Sequence, residues 1–334
     1  MNSIEIIAEI AQAHEGSIGI AHSYIDALAK TGIHTVKFQM HIAEAESSTL
    51  ETFRVPFSYE DATRYDYWKR MEFTIEQWAS LKAHCEEKGL RFLCSPFSIQ
   101  AFNQLEQLKV DRYKIASGEV SNYLMLQKIA STNKSILISS GLSEVEDIKE
   151  SIDFIGKQGG NIEALFHCTT MYPTPPKHYG LNRLKHLQEQ FDFPIGLSDH
   201  SGEMYASLAA VSLGAKYIET HVVFDKQMFG PDATSSLNMA QLSELVKGIK
   251  AIEESIETPF IETKTPNDLQ VLFGKTLTYN KDLSSGHVLQ IDDLETTKPG
   301  NQGVSAKDHQ NLIGMTLNKT VAKKDFVQKN DFNS

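Results

Sequence analysis

The sequence predicts an α/β protein in which eight strand and helix units form a (β/α)8 TIM barrel, followed by a small, mostly β domain. Three observations predict this architecture. Between residues 4 and 223, short β-branched or aliphatic runs alternate with longer segments whose apolar residues recur three and four positions apart. Eight such runs occur, and eight units in about 250 residues is the size of this barrel. Around residues 257 to 270 the apolar period is lost, and the later runs are short and split by turns.

Each predicted strand is a short apolar run followed by a polar turn. The eight candidates, in chain order, are IEIIAEI, TVKFQM, RFLCSPF, RYKIAS, SILISSG, EALFHCTT, PIGLSDH and YIETHVV. Because consecutive parallel strands require right-handed crossovers through helices, this series favours a closed barrel. A doubly wound open sheet is the alternative, although no G-x-G-x-x-G follows the first strand.

The segments between the strands have the apolar period of helices. After the fifth strand, EDIKESIDFIGKQGG places Ile148, Ile152 and Ile155 on one stripe and ends in a glycine pair that suits a left-handed helix cap. After the eighth strand the same period continues in NMAQLSELVKGIKAIEESI, at Leu242, Leu245, Val246, Ile249 and Ile252.

Two stretches depart from this alternation of predicted strands and helices. Residues 40–72 are too long for an ordinary connection and are rich in acids and aromatics, which is typical of a lid or a subunit contact. The loss of period near residue 257 predicts a barrel over residues 1–262, a linker over 263–270 and the small β domain over 271–334. Because that domain is too short for a large core of its own, we expect it to pack on a neighbour.

The charge balance excludes whole classes of partner. The formal net charge is −11 and the pI is about 5.6, with 32 Lys and Arg against 43 Asp and Glu. Nucleic acid or an anionic membrane would require a clustered positive field, so neither is an expected partner. Three cysteines without close pairing support neither disulfides nor a Cys-rich zinc site. The N-terminus has no basic region and no apolar run reaches 18 residues, so we expect a cytoplasmic protein that acts on small molecules.

The catalytic groups of a (β/α)8 barrel gather at the C-terminal ends of its strands. The predicted ends are strongly polar, and their candidate residues are Glu9, Lys37, Ser95, Lys114, Ser117, Glu119, Ser139, Ser140, His167, Thr169, Thr170, Ser198, Asp199, His200, Glu219 and His221. Two lysines with several hydroxyls would suit a phosphate and a carboxylate, since ammonium groups supply charge and hydroxyls supply directed donors. Lys37 and Lys114 could instead be surface lysines, but each lies within an apolar strand, where its ammonium group must be paired. Ser139 and Ser140 could also cap the next helix.

Two histidines, His200 and His221, follow the seventh and eighth predicted strands, which are neighbours in such a barrel. They could hold a divalent metal ion with open positions for water and substrate, which suits Mn²⁺ better than a closed zinc site, with Mg²⁺ or Co²⁺ as alternatives. A single histidine more often bonds a backbone carbonyl, yet two at matched strand ends favour the metal. His167 has three interpretations: a third metal ligand, a phosphate contact or a structural histidine, of which the last two are favoured.

Taken in order, the motifs of this chain resemble the N-acetylneuraminate (sialic acid) synthases and the related legionaminic and pseudaminic acid synthases. The motifs are IAEIAQAHEGS, VKFQ, SPFS, YKIASGE, HCTTMYPTP, GLSDHS, ETHV, FGPD and KDLSSGHVLQIDDLETTKPGNQG. The last of them is similar to the antifreeze-like (SAF) domain of these enzymes, which in the family reaches over the barrel of the partner subunit. The resemblance covers nearly the whole chain and implies a homodimer with exchanged C-terminal domains.

The resemblance implies a condensation of phosphoenolpyruvate with the open-chain aldehyde of a 2-acetamido-hexose, such as N-acetylmannosamine or a 2,4-diacetamido-dideoxyhexose. The products would be a nine-carbon α-keto acid and inorganic phosphate. By motif, the residues that match the phosphoenolpyruvate contacts are Lys37, Lys114, Ser117, Ser139 and Ser198. The residues that match the metal ligands are His200 and His221, and those around the acceptor sugar are Glu9, Tyr172 and Asp232. Either carboxylate, Glu9 or Asp232, could orient or deprotonate the attacking water.

Two positions depart from the family pattern, and two other functions compete with this one. Thr170 stands where the sialic acid members usually have Asn, and Lys298 stands where the tail usually has Arg. Both positions lie at the sugar side in the family, and Lys lacks the bidentate fork of Arg, so the acceptor need not be N-acetylmannosamine. One alternative is another phosphoenolpyruvate aldol synthase, which makes eight- or seven-carbon keto acids from sugar phosphates. The other is a catalytically silent sugar-binding homologue.

Overall fold

The structure, a computed structural model, describes residues 4–259 and 267–333. The chain divides into two compact units, Met1–Thr258 and Pro259–Ser334. Residues 260–266, which include the end of the predicted barrel and the first half of the predicted linker, lie outside the described residues. The rest of the predicted linker, residues 267–270, is the start of a helix.

The N-terminal unit is built on eight parallel strands, each within two residues of its predicted position. They are β1 (Glu5–Glu9), β2 (Thr35–Met40), β3 (Arg91–Pro96), β4 (Arg112–Ile115), β5 (Ser135–Ser139), β6 (Asn161–Cys168), β7 (Ile195–Asp199) and β8 (Tyr217–His221). They pair in the order β3-β2-β1-β8-β7-β6-β5-β4, and β3 and β4, at the two ends of this order, contact each other. The strands therefore form a nearly closed barrel, which confirms the predicted (β/α)8 fold over the open sheet.

Ten helices of the described residues belong to this unit. They are α1 (Ile18–Leu28), α2 (Ala43–Glu46), α3 (Arg64–Met71), α4 (Ile75–Glu87), α5 (Ile99–Gln107), α6 (Tyr123–Ala130), α7 (Val145–Lys157), α8 (Leu181–Gln190), α9 (Tyr205–Ser212) and α10 (Met239–Glu257). Short 3-10 helices occur at Ser117–Glu119, Pro176–His178 and Ala233–Ser235. None of the helices in the described part of the chain is long and apolar enough to cross a membrane.

The apolar stripes predicted for two of these helices face the main core. In α7, Ile148 and Ile155 are buried, and Ile152 packs against the same core while half-buried. Gly159 ends this region with a φ of 86°, a left-handed conformation in which glycine has no Cβ penalty. The buried residues of α10 are Leu242, Leu245, Val246 and Ile249. Burial of these stripes against the strands is the main source of helix stability here.

The barrel interior explains why polar strand residues meet at one end. An apolar layer fills its middle and consists of Ile7, Leu93, Leu137, Ala164 and Phe166. Because successive side chains of a strand point to opposite faces, the residue two positions further on points the same way. Glu9, Ser95 and Ser139 therefore point inward beyond this layer, towards the C-terminal end of the barrel. The register also places Glu9 beside Lys37 of β2 and His221 of β8.

The long interruption predicted at residues 40–72 contains α2 and α3, and we call residues 41–72 the β2–α4 segment. It has its own apolar cluster of Ala43, Tyr67, Trp68 and Met71, with Phe53, Phe57 and Tyr65 against it. Arg70 fastens the segment, because its guanidinium donates to Asp61 Oδ2 at 2.8 Å and to Glu15 Oε2 at 3.0 Å. The segment is thus an ordered insertion, stabilised by aromatic packing and by the ion pairs of Arg70.

The C-terminal unit is small and mostly β, as predicted. It contains α11 (Asn267–Phe273), the antiparallel pair β9 (Thr276–Tyr279) and β10 (Leu294–Thr297), and 3-10 helices at Ile291–Asp293, Ala306–Asn311 and Lys329–Asp331. Its separate core consists of Leu277, Tyr279, Leu283, Leu289, Val304, Leu312, Leu317, Val321, Val327 and Phe332.

This unit contains an internal repeat that the sequence prediction missed. Lys281 Nζ lies 2.7 Å from Asp293 Oδ1, and Lys319 Nζ lies 2.7 Å from Asp331 Oδ1. Each aspartate also closes a 3-10 helix by accepting a backbone N–H from the glutamine three residues earlier. The two halves therefore use the same buried, charge-paired aspartate to hold their turns.

Candidate active site

A cavity of about 560 Å³ lies at the C-terminal ends of the barrel strands. Of the residues predicted at the site, those that line it are Lys37, Lys114, Ser117, Glu119, Ser139, Thr170, Tyr172, Ser198, His200, Glu219, His221 and Asp232. The β2–α4 segment also contributes lining residues, among them Arg54, Arg64 and Trp68. The barrel thus brings together residues that are far apart in sequence, and the cavity has the size of a small-molecule site.

Buried charges of alternating sign form a chain beside this cavity. Lys37 Nζ donates to Glu9 Oε2 at 2.7 Å and to Glu219 Oε1 at 3.3 Å. Lys114 Nζ donates to Glu219 Oε2 at 2.7 Å. All four side chains are at most 5% exposed, so the pairing offsets the cost of burying each charge. Glu219, to which the sequence assigned no role, joins the two lysines.

These neighbours shift each other's pKa in opposite directions. Burial, the largest influence, lowers the pKa of a lysine, but the Glu219 and Glu9 carboxylates outweigh it and raise the pKa of Lys37. At Lys114 burial prevails over Glu219, and the charge of Lys37 adds to it, so the pKa is lowered. Burial would raise the pKa of Glu219, yet Lys114 and Lys37 together lower it. Glu219 is therefore a fixed anion between the lysines.

Three serines direct hydroxyl groups to the same place. Ser198 Oγ donates to Glu219 Oε1 at 3.1 Å, and Ser117 Oγ accepts from the backbone N–H of Gly141 at 3.0 Å. Ser139 lines the cavity from the end of β5. Gly141 is tightly enclosed, because a Cβ there would lie 2.6 Å from Ser117 Oγ. The position of Ser117 thus depends on the absence of a side chain at residue 141.

The two predicted metal ligands lie next to each other. His200 Nδ1 donates to the Thr169 carbonyl at 3.0 Å, so Nε2 carries the lone pair and lies 3.2 Å from the Tyr172 hydroxyl. The ring centroids of His200 and His221 are 5.2 Å apart, and His221 Nδ1 is 4.0 Å from Asp232 Oδ2. Burial, with the adjacent His221, lowers the pKa of His200 to about 3, so its imidazole is neutral.

This donor set fits the open type of metal site expected from the sequence. Two imidazoles beside a carboxylate suit a divalent ion that takes its remaining ligands from water and substrate. Across residues 4–259 and 267–333, no group of three or more His, Cys, Asp and Glu side chains is arranged to hold a metal ion. The assignment of His200 and His221 as metal ligands stays a prediction.

Arg54 is a cavity residue that the sequence reasoning missed. Its Nη2 donates to Asp232 Oδ1 at 3.1 Å, and its guanidinium carbon lies 4.2 Å from the centroid of the Tyr172 ring. It comes from the β2–α4 segment, which has no apolar period to predict which residues point inward. The indication in the sequence was the length of the segment, because an enlarged loop after a barrel strand lies at the catalytic end of the barrel.

The remaining predicted residues lie outside the lining of the cavity. Glu9 is fully buried beside it, bonded to Lys37. His167 Nε2 donates to the Tyr179 carbonyl at 3.0 Å, and a Cβ on Gly180 would lie 2.4 Å from that nitrogen, so His167 has the contacts of a structural histidine. Lys298 belongs to the C-terminal unit, where its Nζ lies 5.2 Å from the centroid of the Phe273 ring.

Comparison with known proteins gives the family of this chain. The NeuB family model matches residues 24–259, and the SAF domain model matches residues 274–333. The chain is 30% identical to the N,N'-diacetyllegionaminic acid synthase of Campylobacter jejuni, over 98% of this chain and 100% of that protein. It is also 30% identical to human N-acetylneuraminate-9-phosphate synthase, over 97% of this chain and 91% of that protein.

Solved structures agree with this result. An N-acetylneuraminic acid synthetase from Leptospira borgpetersenii, in complex with citrate, matches with a TM-score of 0.70 and 26% identity, over 81% of this chain and 90% of that chain. The protein therefore belongs to the NeuB family and has a C-terminal SAF domain. The resemblance inferred from the motifs is confirmed, and the relatives are synthases of nonulosonic acids.

Proposed function

We propose that this protein is a nonulosonic acid synthase that condenses phosphoenolpyruvate with the open-chain aldehyde of a 2-acetamido-hexose and releases inorganic phosphate. The observation that carries the proposal is the convergence of two buried lysines, three serine hydroxyls and two buried histidines on one cavity. Membership of the NeuB family supports it, since the similar proteins are synthases of legionaminic acid and of N-acetylneuraminate 9-phosphate.

Phosphoenolpyruvate would bind at Lys37, Lys114, Ser117, Ser139 and Ser198. An ammonium group has three N–H donors, and Lys114 uses one of them for Glu219, so donors remain for a phosphate or carboxylate. The raised pKa keeps Lys37 charged, and the ion pairs with Glu9 and Glu219 hold both lysines before the ligand arrives. Preorganised donors of this kind cost little to reorganise during the reaction.

The chemistry requires a new carbon–carbon bond and the loss of phosphate. C3 of the enol attacks the aldehyde carbon, whose oxygen takes up a proton, and C2 becomes cationic. Water adds to C2 and loses one proton to a carboxylate. The C2–O bond to phosphate then breaks, and the remaining hydroxyl proton passes to the departing phosphate, which leaves the α-keto acid. Asp232 lines the cavity, whereas Glu9 has both oxygens bonded to Lys37 and Gln39, which supports Asp232 as the proton acceptor.

His200 and His221 would hold a divalent ion, by preference Mn²⁺, with Mg²⁺ or Co²⁺ as alternatives. Bound there, the ion would supply Lewis acidity at the aldehyde oxygen of the acceptor. The hydrogen bond from His200 Nδ1 to the Thr169 carbonyl fixes the ring with Nε2 available for ligation. Both imidazole rings are buried, which limits their movement towards solvent.

The acceptor sugar would be read by Tyr172, Thr170 and Arg54 in the barrel and by Lys298 from the tail. We also propose a homodimer in which the C-terminal domain of one subunit completes the site of its partner, as the family resemblance implies. Thr170 and Lys298 lack the amide and the guanidinium fork that the sialic acid members usually have, which supports an acceptor with acyl or hydroxyl groups different from those of N-acetylmannosamine.

A phosphate-release assay tests this function. The purified protein is mixed with phosphoenolpyruvate, a divalent metal and a panel of 2-acetamido- and 2,4-diacetamido-hexoses, and mass spectrometry identifies the product. We expect metal-dependent phosphate release and a nine-carbon keto acid with at least one acceptor. Phosphate release only with arabinose 5-phosphate or erythrose 4-phosphate would instead support the sugar-phosphate synthases, and no consumption of phosphoenolpyruvate would support the silent homologue.

A further inference from the structure

A line of hydrogen bonds connects the buried Glu9 carboxylate with helix α2. Gln39 Nε2 donates to Glu9 Oε1 at 2.6 Å. Gln12 Nε2 donates to Gln39 Oε1 at 2.7 Å and lies 2.9 Å from His41 Nε2. At the far end, His41 Nδ1 donates to Glu46 Oε1 at 2.6 Å. The line therefore runs through two amides and one imidazole between two carboxylates.

The donors in this line can be assigned at its two ends. A carboxylate accepts hydrogen bonds, so His41 Nδ1 carries a proton that faces Glu46. His41 Nε2 lies 2.9 Å from Gln12 Nε2 and 3.1 Å from Gln39 Oε1, so the imidazole contacts both amides, and Gln12 Nε2 donates to Gln39 Oε1. This assignment fixes Gln39 with its N–H group towards Glu9. If the Gln39 amide flipped, its oxygen would face a carboxylate oxygen, and both are acceptors.

The imidazole of His41 is held rigidly. It is 5% exposed and stacks between Trp68, with ring centroids 3.9 Å apart, and Phe97, with ring centroids 4.3 Å apart. Trp68 is itself fixed, because its Nε1 donates to Glu51 Oε2 at 3.1 Å. The two flanking rings prevent the imidazole from rotating away from its partners.

We propose that His41, Gln12 and Gln39 form a relay that positions the Glu9 carboxylate and, through it, the ammonium group of Lys37 for the condensation, with His41 as the positioning residue that links the relay to the β2–α4 segment. Lys37 holds Oε2 of Glu9 and the relay holds Oε1, so both oxygens have a fixed orientation beside the proposed phosphoenolpyruvate site. The inference rests on the proposed function for the reaction that it affects.

A double-mutant cycle tests the relay by kinetics. His41→Phe keeps an aromatic ring between Trp68 and Phe97 but removes both ring nitrogens, and Gln39→Met removes the donor to Glu9. We expect each variant to lower kcat by about 10- to 100-fold, because Glu9 holds Lys37 and a displacement of about 1 Å at a group that contacts substrate can cost roughly 100-fold. The KM for phosphoenolpyruvate should rise as well, because Lys37, one of its proposed contacts, is bonded to Glu9.

The double variant separates a relay from two independent packing defects. Residues that act as one unit are not additive, so the double variant should be no slower than the slower single variant. His41→Gln supplies an acceptor for Gln12 and should recover much of the lost kcat, although it lacks the ring. Full activity of His41→Phe, or losses that multiply in the double variant, would overturn the relay.

A spectroscopic measurement tests the relay without any catalysis. In protein labelled with ¹⁵N-histidine, the His41 signals are those that His41→Phe removes from the twelve histidines of the chain. We expect a proton at Nδ1, and Gln39→Met should shift the Nε2 signal, because Gln39 and Gln12 both contact that nitrogen. An Nδ1 without a proton, or an Nε2 signal that Gln39→Met leaves unchanged, would overturn the inference. If the wild-type protein forms no keto acid, the proposed function fails, and this measurement still decides the relay.

Discussion

Among single residues, the buried Glu219 holds Lys37, Lys114 and Ser198 in one place. Glu219→Gln leaves two buried lysines without their shared anion, which should lower the free energy of unfolding by about 3 to 5 kcal/mol and weaken phosphoenolpyruvate binding. Urea denaturation and titration calorimetry measure the two effects. In the control Glu86→Gln, the carboxylate is 58% exposed, so the loss should be less than about 1 kcal/mol. Equal losses in both variants would contradict the role of Glu219.

Glu15 gives a prediction about pH. Its burial raises its pKa to about 7, against the opposing effect of Arg70 and with support from Asp61 and Glu60. Folding therefore favours the protonated acid, so the stability from this group is fully present below the ordinary pKa of 4.5 and is lost as the pH rises through about 7. Relative to Glu15→Gln, the wild type should lose roughly 3 kcal/mol of unfolding free energy between pH 4.5 and 7.5. If the unfolding free energies of the two proteins change with pH in the same way, the pKa of Glu15 is not raised.

Gly141 tests how closely the serines are packed. A Cβ at this position would lie 2.6 Å from Ser117 Oγ and 2.9 Å from Thr170 Cγ2, so Gly141→Ala should displace Ser117 at a cost of about 1 to 3 kcal/mol. We expect weaker binding of phosphoenolpyruvate and a lower melting temperature. Gly156→Ala is the control, because that Cβ would meet nothing within 4 Å and should stabilise α7 slightly. An unchanged affinity for phosphoenolpyruvate in Gly141→Ala would show that Ser117 is not part of the phosphoenolpyruvate site.

The residues of the site were predictable where strand alternation reaches them. Glu219 lies two positions before His221 on β8, so the same two-residue period that places His221 inward also places Glu219 inward. His41 follows β2 in the same way, but its role depends on Gln12 and Glu46, which only the folded chain brings to it. Arg54 had no such signal, because its segment has no regular period.

Among the elements, the strands were predictable because each is apolar, short and bounded by turns. The helices α2 and α3 were not, because the β2–α4 segment is stabilised by its own aromatic cluster rather than by a stripe against the main core. Tertiary contacts of this kind determine structure without leaving a periodic pattern in the sequence.

The attachment of the β2–α4 segment depends on Arg70, which reaches both Asp61 and Glu15 with one planar fork. Arg70→Lys cannot bridge both carboxylates, so we expect faster hydrogen exchange in residues 47–62 and a higher KM for the acceptor sugar, with the barrel still folded. Lys69→Met is a matched control on the same helix, because Lys69 is 52% exposed and contacts only surface acids. Similar exchange in the two variants would show that the aromatic cluster alone holds the segment.

At the scale of the whole molecule, the sequence predicted two parts because the apolar period ends near residue 257. Each unit has its own core, which is the physical reason for that change of pattern. The repeat within the C-terminal unit was not predicted, because it depends on a few paired residues, such as Lys281 with Asp293, that are separated by variable sequence. The helix at Asn267–Phe273 was missed because it is short and follows a stretch without apolar period.

The last prediction concerns the role of the tail in the assembled enzyme. A chain truncated after residue 262 retains all eight strands and the main core, so it should fold as a barrel. It should nevertheless lose condensation activity, because the acceptor would then react in a cleft open to water. Circular dichroism and the phosphate-release assay measure the two outcomes, and full activity of the truncated chain would contradict a catalytic role for the tail.

Complementation between two inactive variants then tests whether the tail acts across subunits. His200→Ala disables the barrel part of a site and Lys298→Ala disables the tail part, provided that each is inactive alone and that subunits exchange. In an exchanged dimer, one site of each mixed dimer combines an intact barrel with an intact tail, so random mixing should restore about one quarter of wild-type activity. Without exchange, every site of the mixed dimer keeps one defect and no activity returns. Lys307→Ala in place of Lys298→Ala is the control for an exposed tail lysine, since it should be active before mixing. A monomeric mass in solution together with no restored activity would exclude the exchanged-tail dimer.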